Sequence, residues 1–213
     1  NQSYERAVEI IKAAKNAGAD AVKLQTYTPD TLTIDSNREW FRIPGDSLWA
    51  GKTLYQLYGE AYTPWEWQPQ LQKVALSLGL DFFSTPFDAT AVDFLEQFDV
   101  LAYKVASFEI VDLPLLRKIA KTGKPAILST GMASLSEIDE AVKTIRQGGS
   151  EQIALLKCTS AYPASPGEMN LRTIPHLCST FKVVAGLSDH TLGNSVATAA
   201  VALGASIVEK HFT

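Results

Sequence analysis

Two histidines are the residues best suited to chemistry in this sequence. His190 ends the apolar run VVAGLSDH at 183–190, and His211 lies near the end of the run ASIVEKHF at 205–212. Both runs are typical of buried strands in a repeating strand–helix pattern, which would bring the two imidazoles to one rim of a parallel barrel. Two neutral imidazoles that face a common space can hold a divalent metal and leave coordination positions open. The pair predicts a metal site, although histidines also end strands for purely structural reasons.

Seven short apolar runs rich in strand-forming residues recur along the chain, with helical stretches between them. These runs are 20–25, 80–85, 101–106, 125–130, 153–159, 183–188 and 206–211. Runs that are apolar on both faces and alternate with helices indicate a parallel sheet with covered faces. Eight strand–helix units close a barrel, so the pattern predicts an α/β fold of the (β/α)8 TIM-barrel type whose first strand precedes Asn1. The alternative is an open doubly wound sheet, but the sequence lacks the glycine-rich phosphate loop expected after an early strand.

One connection between the predicted strands is much longer than the others. Almost forty residues separate Gln25 from Pro64, and the segment 26–67 is rich in Trp, Tyr and Phe. Long ordered loops in compact domains are usually functional, and this one leaves the C-terminal end of a strand. We expect most of its aromatic side chains to pack as a satellite core and a few to cover a substrate.

Polar side chains gather where the predicted strands end, which is the active face of such barrels. Lysines beside a ring of hydroxyls suit a phosphate and a carboxylate together, as point charges plus hydrogen-bond donors. Lys23 and Lys104 are each embedded in an apolar run, where a buried charge without an anionic partner would be costly. The strand ends therefore predict a site for an anionic substrate, with a metal opposite it that can polarise a carbonyl oxygen.

Composition excludes several classes of protein. The 213 residues are 46% hydrophobic and 20% charged, which is ordinary for one soluble domain with a sizeable core. A formal net charge of -4 and a pI near 5.4 give no support for nucleic-acid binding. No apolar run reaches membrane-spanning length. Cys158 and Cys178 lack the spacing of a disulfide scaffold, so we expect a reduced, cytoplasmic protein.

Seven blocks of the sequence resemble the sialic acid synthase family. They are AGADAVKLQTYTPDT, GLDFFSTPFD, YKVASFEI, ILSTGMAS, LLKCTSAYP, GLSDHTLG and VEKHFT. The resemblance implies condensation of phosphoenolpyruvate with an open-chain acylamino sugar to form a nonulosonic acid. Other segments are most similar to the branch that makes pseudaminic acid from 2,4-diacetamido-2,4,6-trideoxy-L-altrose: KLQTYTPDTLTID, LYGEAYTPWEW, FDATAVDFL and SFEIVDLPL. N-acetylneuraminate and legionaminate synthases, with the same chemistry on other sugars, are the alternatives within the family.

The resemblance implies a role for each matching residue. The metal ligands would be His190 and His211, holding Mn²⁺ typically, with Mg²⁺ or Co²⁺ as alternatives. The phosphoenolpyruvate site would be lined by Lys23, Thr85, Lys104, Ser107, Ser129 and Ser188, with Ser160 at a position where some relatives carry asparagine. The sugar or a metal-bound water would face Gln25, Glu109, Tyr162 and Asp189. The catalytic candidates are Lys104, Glu109 and Asp189, and either carboxylate could handle the proton.

The resemblance also implies parts that this sequence does not contain. Relatives begin with a strand that carries a glutamate and an Asn–His turn. They continue past the equivalent of Thr213 into a small antifreeze-like domain, which supplies an arginine to the partner subunit's site. We therefore expect residues 1–213 to be the TIM-barrel synthase domain alone, and the full-length enzyme to be a homodimer.

Two alternatives from other classes remain. A Schiff-base aldolase could use Lys104 or Lys210 as its nucleophile, and it would resist chelators and be trapped by borohydride. A non-catalytic sugar-phosphate binding module would bind ligand without releasing phosphate.

Overall fold

A computed structural model describes residues 3–45 and 49–212. The chain divides into two units, residues 1–100 and residues 101–213. In each unit, parallel strands alternate with helices, and the strands within a unit pair in the order in which they occur along the chain.

The first unit contains two strands and five α-helices among its described residues. They are α1 (Tyr4–Asn16), β1 (Ala21–Thr26), α2 (Pro29–Leu32), α3 (Leu54–Ala61), α4 (Gln68–Ser77), β2 (Asp81–Pro86) and α5 (Ala89–Glu96), with 3-10 turns at Glu39–Phe41 and Trp65–Trp67. Strands β1 and β2 are parallel, with Lys23 opposite Phe83 and Gln25 opposite Thr85. This register places the two polar strand ends side by side.

In its described residues, the long aromatic connection contains α2, α3 and both 3-10 turns. The ring of Tyr27 meets Tyr58 edge-on, with ring centroids 5.9 Å apart, and Trp65 packs on Phe94 at 4.8 Å. The expected satellite core is therefore confirmed for these side chains. Trp40, by contrast, is 78% exposed, and a role in covering substrate stays a prediction.

The second unit contains five strands and four α-helices among its described residues. They are β3 (Tyr103–Val105), α6 (Leu113–Ala120), β4 (Ala126–Ser129), α7 (Leu135–Gln147), β5 (Ile153–Cys158), α8 (Thr173–Phe181), β6 (Val184–Asp189), α9 (Ser195–Ala202) and β7 (Ile207–Lys210), with 3-10 turns at Glu109–Val111 and Pro166–Glu168. The five strands pair in parallel in chain order from β3 to β7. All polar residues that end these strands therefore lie at the same edge.

Helix α7 shows how local sequence sets the elements of this unit. The Ser134 hydroxyl accepts the Glu137 N–H, and the Glu137 carboxylate accepts the Ser134 N–H, which satisfies two donors at the helix start. Ile138, Val142 and Ile145 follow at helical spacing and are buried. Their burial seats one face of the helix in the core of the unit.

Strands β6 and β7 approach each other unusually closely. Gly186 lies opposite Ile207, and a Cβ atom at Gly186 would come within 2.2 Å of the Ile207 carbonyl oxygen. Only a residue without a side chain fits this position. The close approach brings the ends of β6 and β7, and the histidines that follow them, next to each other.

The structure confirms the α/β class of TIM-barrel type that the sequence predicted. Each predicted strand is present, and its bounds differ from the predicted ones by at most two residues. The extension of one synthase domain over residues 1–213, without a first strand, stays a prediction. None of the helices in the described residues is both long and apolar enough to span a membrane.

Replacing Gly186 with Ala should destabilise the fold, because the new methyl group would be forced against the backbone of β7. Overpacking of this kind costs about 1–3 kcal/mol. Gly167→Ala is the matched control, since its Cβ would have only the Ser165 hydroxyl nearby, at 3.9 Å. Urea unfolding of the two variants measures the difference, and equal free energies of unfolding would contradict the close approach.

Candidate active site

The structure brings the two predicted metal ligands together. His190 follows β6 and His211 follows β7, and their ring centroids lie 5.2 Å apart with the rings nearly perpendicular. Tyr162, in the loop after β5, packs against both: its ring centroid is 4.1 Å from that of His190 and 5.6 Å from that of His211. The backbone N–H of Ala164 donates to the His190 carbonyl, which ties this loop to the histidine. The predicted meeting of the two imidazoles is confirmed.

A backbone carbonyl orients the imidazole of His190. Its Nδ1 atom lies 2.9 Å from the Thr159 carbonyl oxygen, and a carbonyl can only accept, so Nδ1 carries a proton and donates it. The Nε2 atom is the one left to bind a metal, as in many metal sites where a second partner fixes the ring. Burial lowers the pKa of His190, but contacts with Cys158 and the Thr159 carbonyl outweigh burial and raise it above its ordinary value.

The histidine pair fits a divalent metal with open coordination positions. Two imidazoles are suitable ligands for such ions, and the carbonyl behind His190 supplies the usual outer partner. Across residues 3–45 and 49–212, no cluster of three or more His, Cys, Asp or Glu side chains is arranged to hold a metal. His190 and His211 would hold such an ion as a pair.

A buried lysine lies at the end of β3. Lys104 is 2% exposed, and its Nζ atom donates to the Ser129 hydroxyl at 2.7 Å and to the Val105 carbonyl at 2.9 Å. The Glu209 carboxylate, on β7, lies 3.7 Å from the same nitrogen and accepts a hydrogen bond from Ser188. The predicted burial of Lys104 is confirmed, and its charge is balanced by a carboxylate of the protein itself.

Three small polar side chains converge on the turn after β4. The Gly131 N–H donates to the Ser107 hydroxyl, and a Cβ atom at Gly131 would lie 2.6 Å from the Ser160 oxygen and 2.9 Å from that of Ser107. The sulfur of Cys158 would be 3.1 Å away. Glycine at this turn therefore makes room for the hydroxyls that were predicted to line a phosphate site.

Cys158 joins the hydroxyl cluster to the histidine pair. Its sulfur lies 3.9 Å from the Nδ1 atom of His190 and 4.0 Å from the Ser160 oxygen. Burial raises the pKa of the thiol, but hydrogen bonds with His190 and Ser107 outweigh burial and lower the pKa to about 7. The hydroxyl cluster and the imidazoles thus form one continuous polar region in the second unit.

Glu109 has the properties of a proton carrier. It begins the 3-10 turn after β3, and its Oε2 atom is buried without a hydrogen-bond partner among the described residues. Burial raises the pKa of its carboxyl; its own backbone N–H and Lys104 act against this, and Asp112 adds to it. A carboxyl whose pKa is raised by burial and which has an unused oxygen is suited to accepting and returning a proton.

Asp189, the other carboxylate candidate, already accepts three hydrogen bonds within the protein. Its side chain accepts hydrogen bonds from the Thr191 N–H at 2.8 Å, from the Thr191 hydroxyl at 2.7 Å and from Lys210 Nζ at 2.7 Å. Burial raises the pKa of Asp189, but the hydrogen bonds from Lys210 and Thr191 outweigh burial and lower it. A role at the sugar or at a metal-bound water stays a prediction.

The first unit carries the other predicted site residues. Lys23 Nζ is 3.5 Å from the Thr85 hydroxyl, Thr85 is buried, and Gln25 is exposed. The expectation that Lys23 is buried like Lys104 was wrong, because it is only partly buried. Residues 21–24 of β1 are only partly covered, whereas all three residues of β3 are buried.

Three residues of this region were not among the predicted site residues. They are Gly131, Cys158 and Glu209. Glu209 could have been predicted from the sequence, because it lies two positions before His211 in the predicted strand 206–211. Residues two apart on a strand point to the same face. The roles of Gly131 and Cys158 depend on which strands are neighbours, which spacing along the chain does not show.

Comparison with known proteins identifies the family. The NeuB family model matches residues 10–213. The chain is 48% identical over 210 residues to a pseudaminic acid synthase of Campylobacter jejuni, covering 99% of this chain and 61% of the relative. It is 39% identical over 217 residues to an N,N'-diacetyllegionaminic acid synthase of Legionella pneumophila, covering 100% of this chain and 61% of the relative. The chain thus spans about three fifths of the length of these curated relatives.

A solved structure shows the same fold. The N-acetylneuraminic acid (sialic acid) synthetase of Leptospira borgpetersenii, crystallised with citrate, superposes with a TM-score of 0.86 at 33% identity. The match covers 99% of this chain and 68% of that one. The chain therefore belongs to the NeuB family, as its sequence blocks predicted, and shares more sequence with the pseudaminic acid synthase than with the diacetyllegionaminic acid synthase.

Proposed function

We propose that the protein containing this chain condenses phosphoenolpyruvate with an open-chain diacetamido-trideoxy hexose of L-altro configuration, giving pseudaminic acid and phosphate. The observation that carries the proposal is the continuous polar region of the second unit. There the rings of the histidine pair, whose centroids lie 5.2 Å apart, adjoin a buried lysine and a cluster of hydroxyls. The sugar is chosen on sequence identity, which is 48% with a pseudaminic acid synthase and 39% with a diacetyllegionaminic acid synthase.

Lys104 and the hydroxyls around it would bind phosphoenolpyruvate. A phosphate or carboxylate placed beside Lys104 Nζ would share the positive charge of this lysine with Glu209. Ser107, Ser129 and Ser160 would supply hydrogen bonds. Lys104 is held in place before substrate arrives, because its Nζ atom donates to the Ser129 hydroxyl and to the Val105 carbonyl. Preorganised donors reduce the entropy lost on binding. The resemblance adds Ser188, Lys23 and Thr85 to the same role.

His190 and His211 would hold the divalent metal, and Mn²⁺ is the ion that the resemblance favours. When bound, the metal would polarise the aldehyde oxygen of the sugar as a Lewis acid. The Thr159 carbonyl would keep the His190 ring turned so that Nε2 faces this ion. Tyr162, packed on both rings, would border the sugar.

The reaction requires one carbon–carbon bond to form and one carbon–oxygen bond to break. The C3 atom of phosphoenolpyruvate attacks the aldehyde carbon, water adds at C2, and the phosphate leaves with the oxygen that joined it to C2. Lys104 and the hydroxyls would hold the enol phosphate so that the two carbons meet in near-attack geometry. Glu109 is better placed than Asp189 to move the protons, because its Oε2 atom has no partner among the described residues whereas Asp189 is paired with Lys210.

The arrangement of both lysines favours this chemistry over a Schiff-base aldolase. A Schiff base needs an uncharged amine that is free to attack a carbonyl. Lys104 donates to Ser129 beside the Glu209 carboxylate, and Lys210 is paired with Asp189. Each cation is stabilised where it lies, so a purely electrostatic role fits better.

We further propose that the protein works as a homodimer in a reducing, cytoplasmic setting. Support for the setting comes from Cys158 and Cys178, which are both free thiols. Support for the dimer comes from the resemblance alone.

Binding of phosphoenolpyruvate should depend on Lys104 more than on any single hydroxyl. Lys104→Met should weaken binding by about 1.5–3 kcal/mol because a charge-assisted contact is lost, while Ser129→Ala should cost about 1 kcal/mol. Calorimetric titration measures both, with circular dichroism to verify folding. A folded Lys104 variant that binds phosphoenolpyruvate as well as the parent would contradict the assignment.

Removal of either metal-site imidazole should abolish nearly all turnover and its response to Mn²⁺. The variants are His190→Ala and His211→Ala, and the matched control is His176→Ala, whose ring is exposed on α8. The control should keep parental activity. Full activity in the presence of EDTA, or in the His211 variant, would rule out the metal centre.

The L-altro trideoxy sugar should be preferred over N-acetylmannosamine in competition. The trideoxy sugar carries a methyl group where N-acetylmannosamine carries a hydroxyl. We expect an apolar contact with that methyl group to favour the trideoxy sugar. Hydrophobic pockets discriminate only weakly against an added hydroxyl, by roughly a hundredfold. Competition kinetics with the two sugars at equal concentration measure the ratio. Preference for N-acetylmannosamine would overturn the choice of sugar and leave the family unchanged.

A further inference from the structure

We propose that the ion pair between Asp189 and Lys210 is a positioning device that sets the spacing of His190 and His211, and thereby the affinity of the centre for a divalent metal. The inference rests on the proposed role of these histidines as metal ligands. In this role Asp189 and Lys210 would act on the metal only through the two histidines, so both would be positioning residues.

The register of β6 and β7 links the ion pair to the histidines. Asp189 and Lys210 are paired across β6 and β7 as the last residues of those strands. The two histidines come next, one directly after each strand. Any change in the distance or register between Asp189 and Lys210 is therefore passed to the imidazoles one residue later.

Lys210 holds the chain on both sides of His190. Its Nζ atom donates to the Asp189 carboxylate at 2.7 Å and to the Thr191 carbonyl at 2.7 Å. One side chain that immediately precedes His211 thus binds the residue before His190 and the residue after it. The backbone that carries one ligand is fastened to the backbone that carries the other.

Asp189 closes a tight turn around His190. Its second carboxylate oxygen accepts both the N–H and the hydroxyl of Thr191, at 2.8 and 2.7 Å. The His190 ring is fixed independently by the Thr159 carbonyl. Both the backbone and the side chain of this ligand are therefore held in one conformation.

The Asp189–Lys210 pair faces away from the buried lysine. Ser188 and Glu209 form the preceding cross-strand pair, and they are hydrogen-bonded to each other beside Lys104. Because side chains alternate along a strand, Asp189 and Lys210 point to the opposite face from this pair. The Asp189 side chain is fully buried there, and a buried carboxylate is tolerated when it is paired and hydrogen-bonded as it is here.

The test is Mn²⁺ affinity of the full-length protein without substrates, measured by calorimetry and by the electron paramagnetic resonance signal of free Mn²⁺. Asp189→Asn, Lys210→Met and the double variant should each bind Mn²⁺ about ten- to a hundredfold more weakly, the range found for groups behind metal ligands. Lys210→Arg keeps the charge and should retain most of the affinity. Asp139→Asn with Lys143→Met removes an exposed ion pair on α7 and should have no effect.

The double variant keeps the test decisive if the single variants unfold, because it leaves no unpaired buried charge. Thermal unfolding verifies that it is folded. His211→Ala is the reference: if it binds Mn²⁺ like the parent, the metal centre itself fails, and this inference with it. If Mn²⁺ binding depends on His211 but the folded double variant keeps parental affinity, the positioning role alone is overturned.

Discussion

Parallel pairing between β6 and β7 is the constraint on which the candidate site depends. Gly186 lets the two backbones approach, since any side chain there would collide with the Ile207 carbonyl. Beyond Gly186, the register of β6 and β7 places residues opposite each other in pairs that have different roles. Ser188 and Glu209 face the buried lysine, the next pair forms an ion pair, and the two histidines follow. A slip of one residue would reverse these faces and separate the imidazoles.

Charge balance is the second physical feature of the site. Lys104 is almost completely buried, and such a cation is tolerated only with partners of opposite charge or strong hydrogen-bond acceptors. Glu209 at 3.7 Å is a loose partner rather than a tight one, while the Ser129 hydroxyl and the Val105 carbonyl provide the short contacts. In the proposed reaction, an incoming phosphate would approach Lys104 without first breaking a close ion pair.

The sequence predicted the strands and the meeting of the histidines because both follow from local patterns. Apolar runs with helical stretches between them locate the strands, and parallel strands place their C-terminal residues at one edge. Partners of individual side chains were harder to predict. Nothing in the chain near Asp189 shows that Lys210, 21 residues later, will take up its carboxylate, since that depends on the register of β6 and β7. Lys23 and Lys104 have similar neighbours in the sequence, yet only Lys104 is fully covered.

The proposed reaction joins phosphoenolpyruvate to an acylamino sugar and releases phosphate by cleavage of the carbon–oxygen bond. The most direct measurement uses phosphoenolpyruvate labelled with ¹⁸O at the oxygen that bridges carbon and phosphorus, incubated with the full-length protein, Mn²⁺ and the sugar. Mass spectrometry of the released phosphate then locates the label. The account predicts labelled phosphate, formed only when the sugar is present. Unlabelled phosphate, or phosphate formed equally without the sugar, would contradict it.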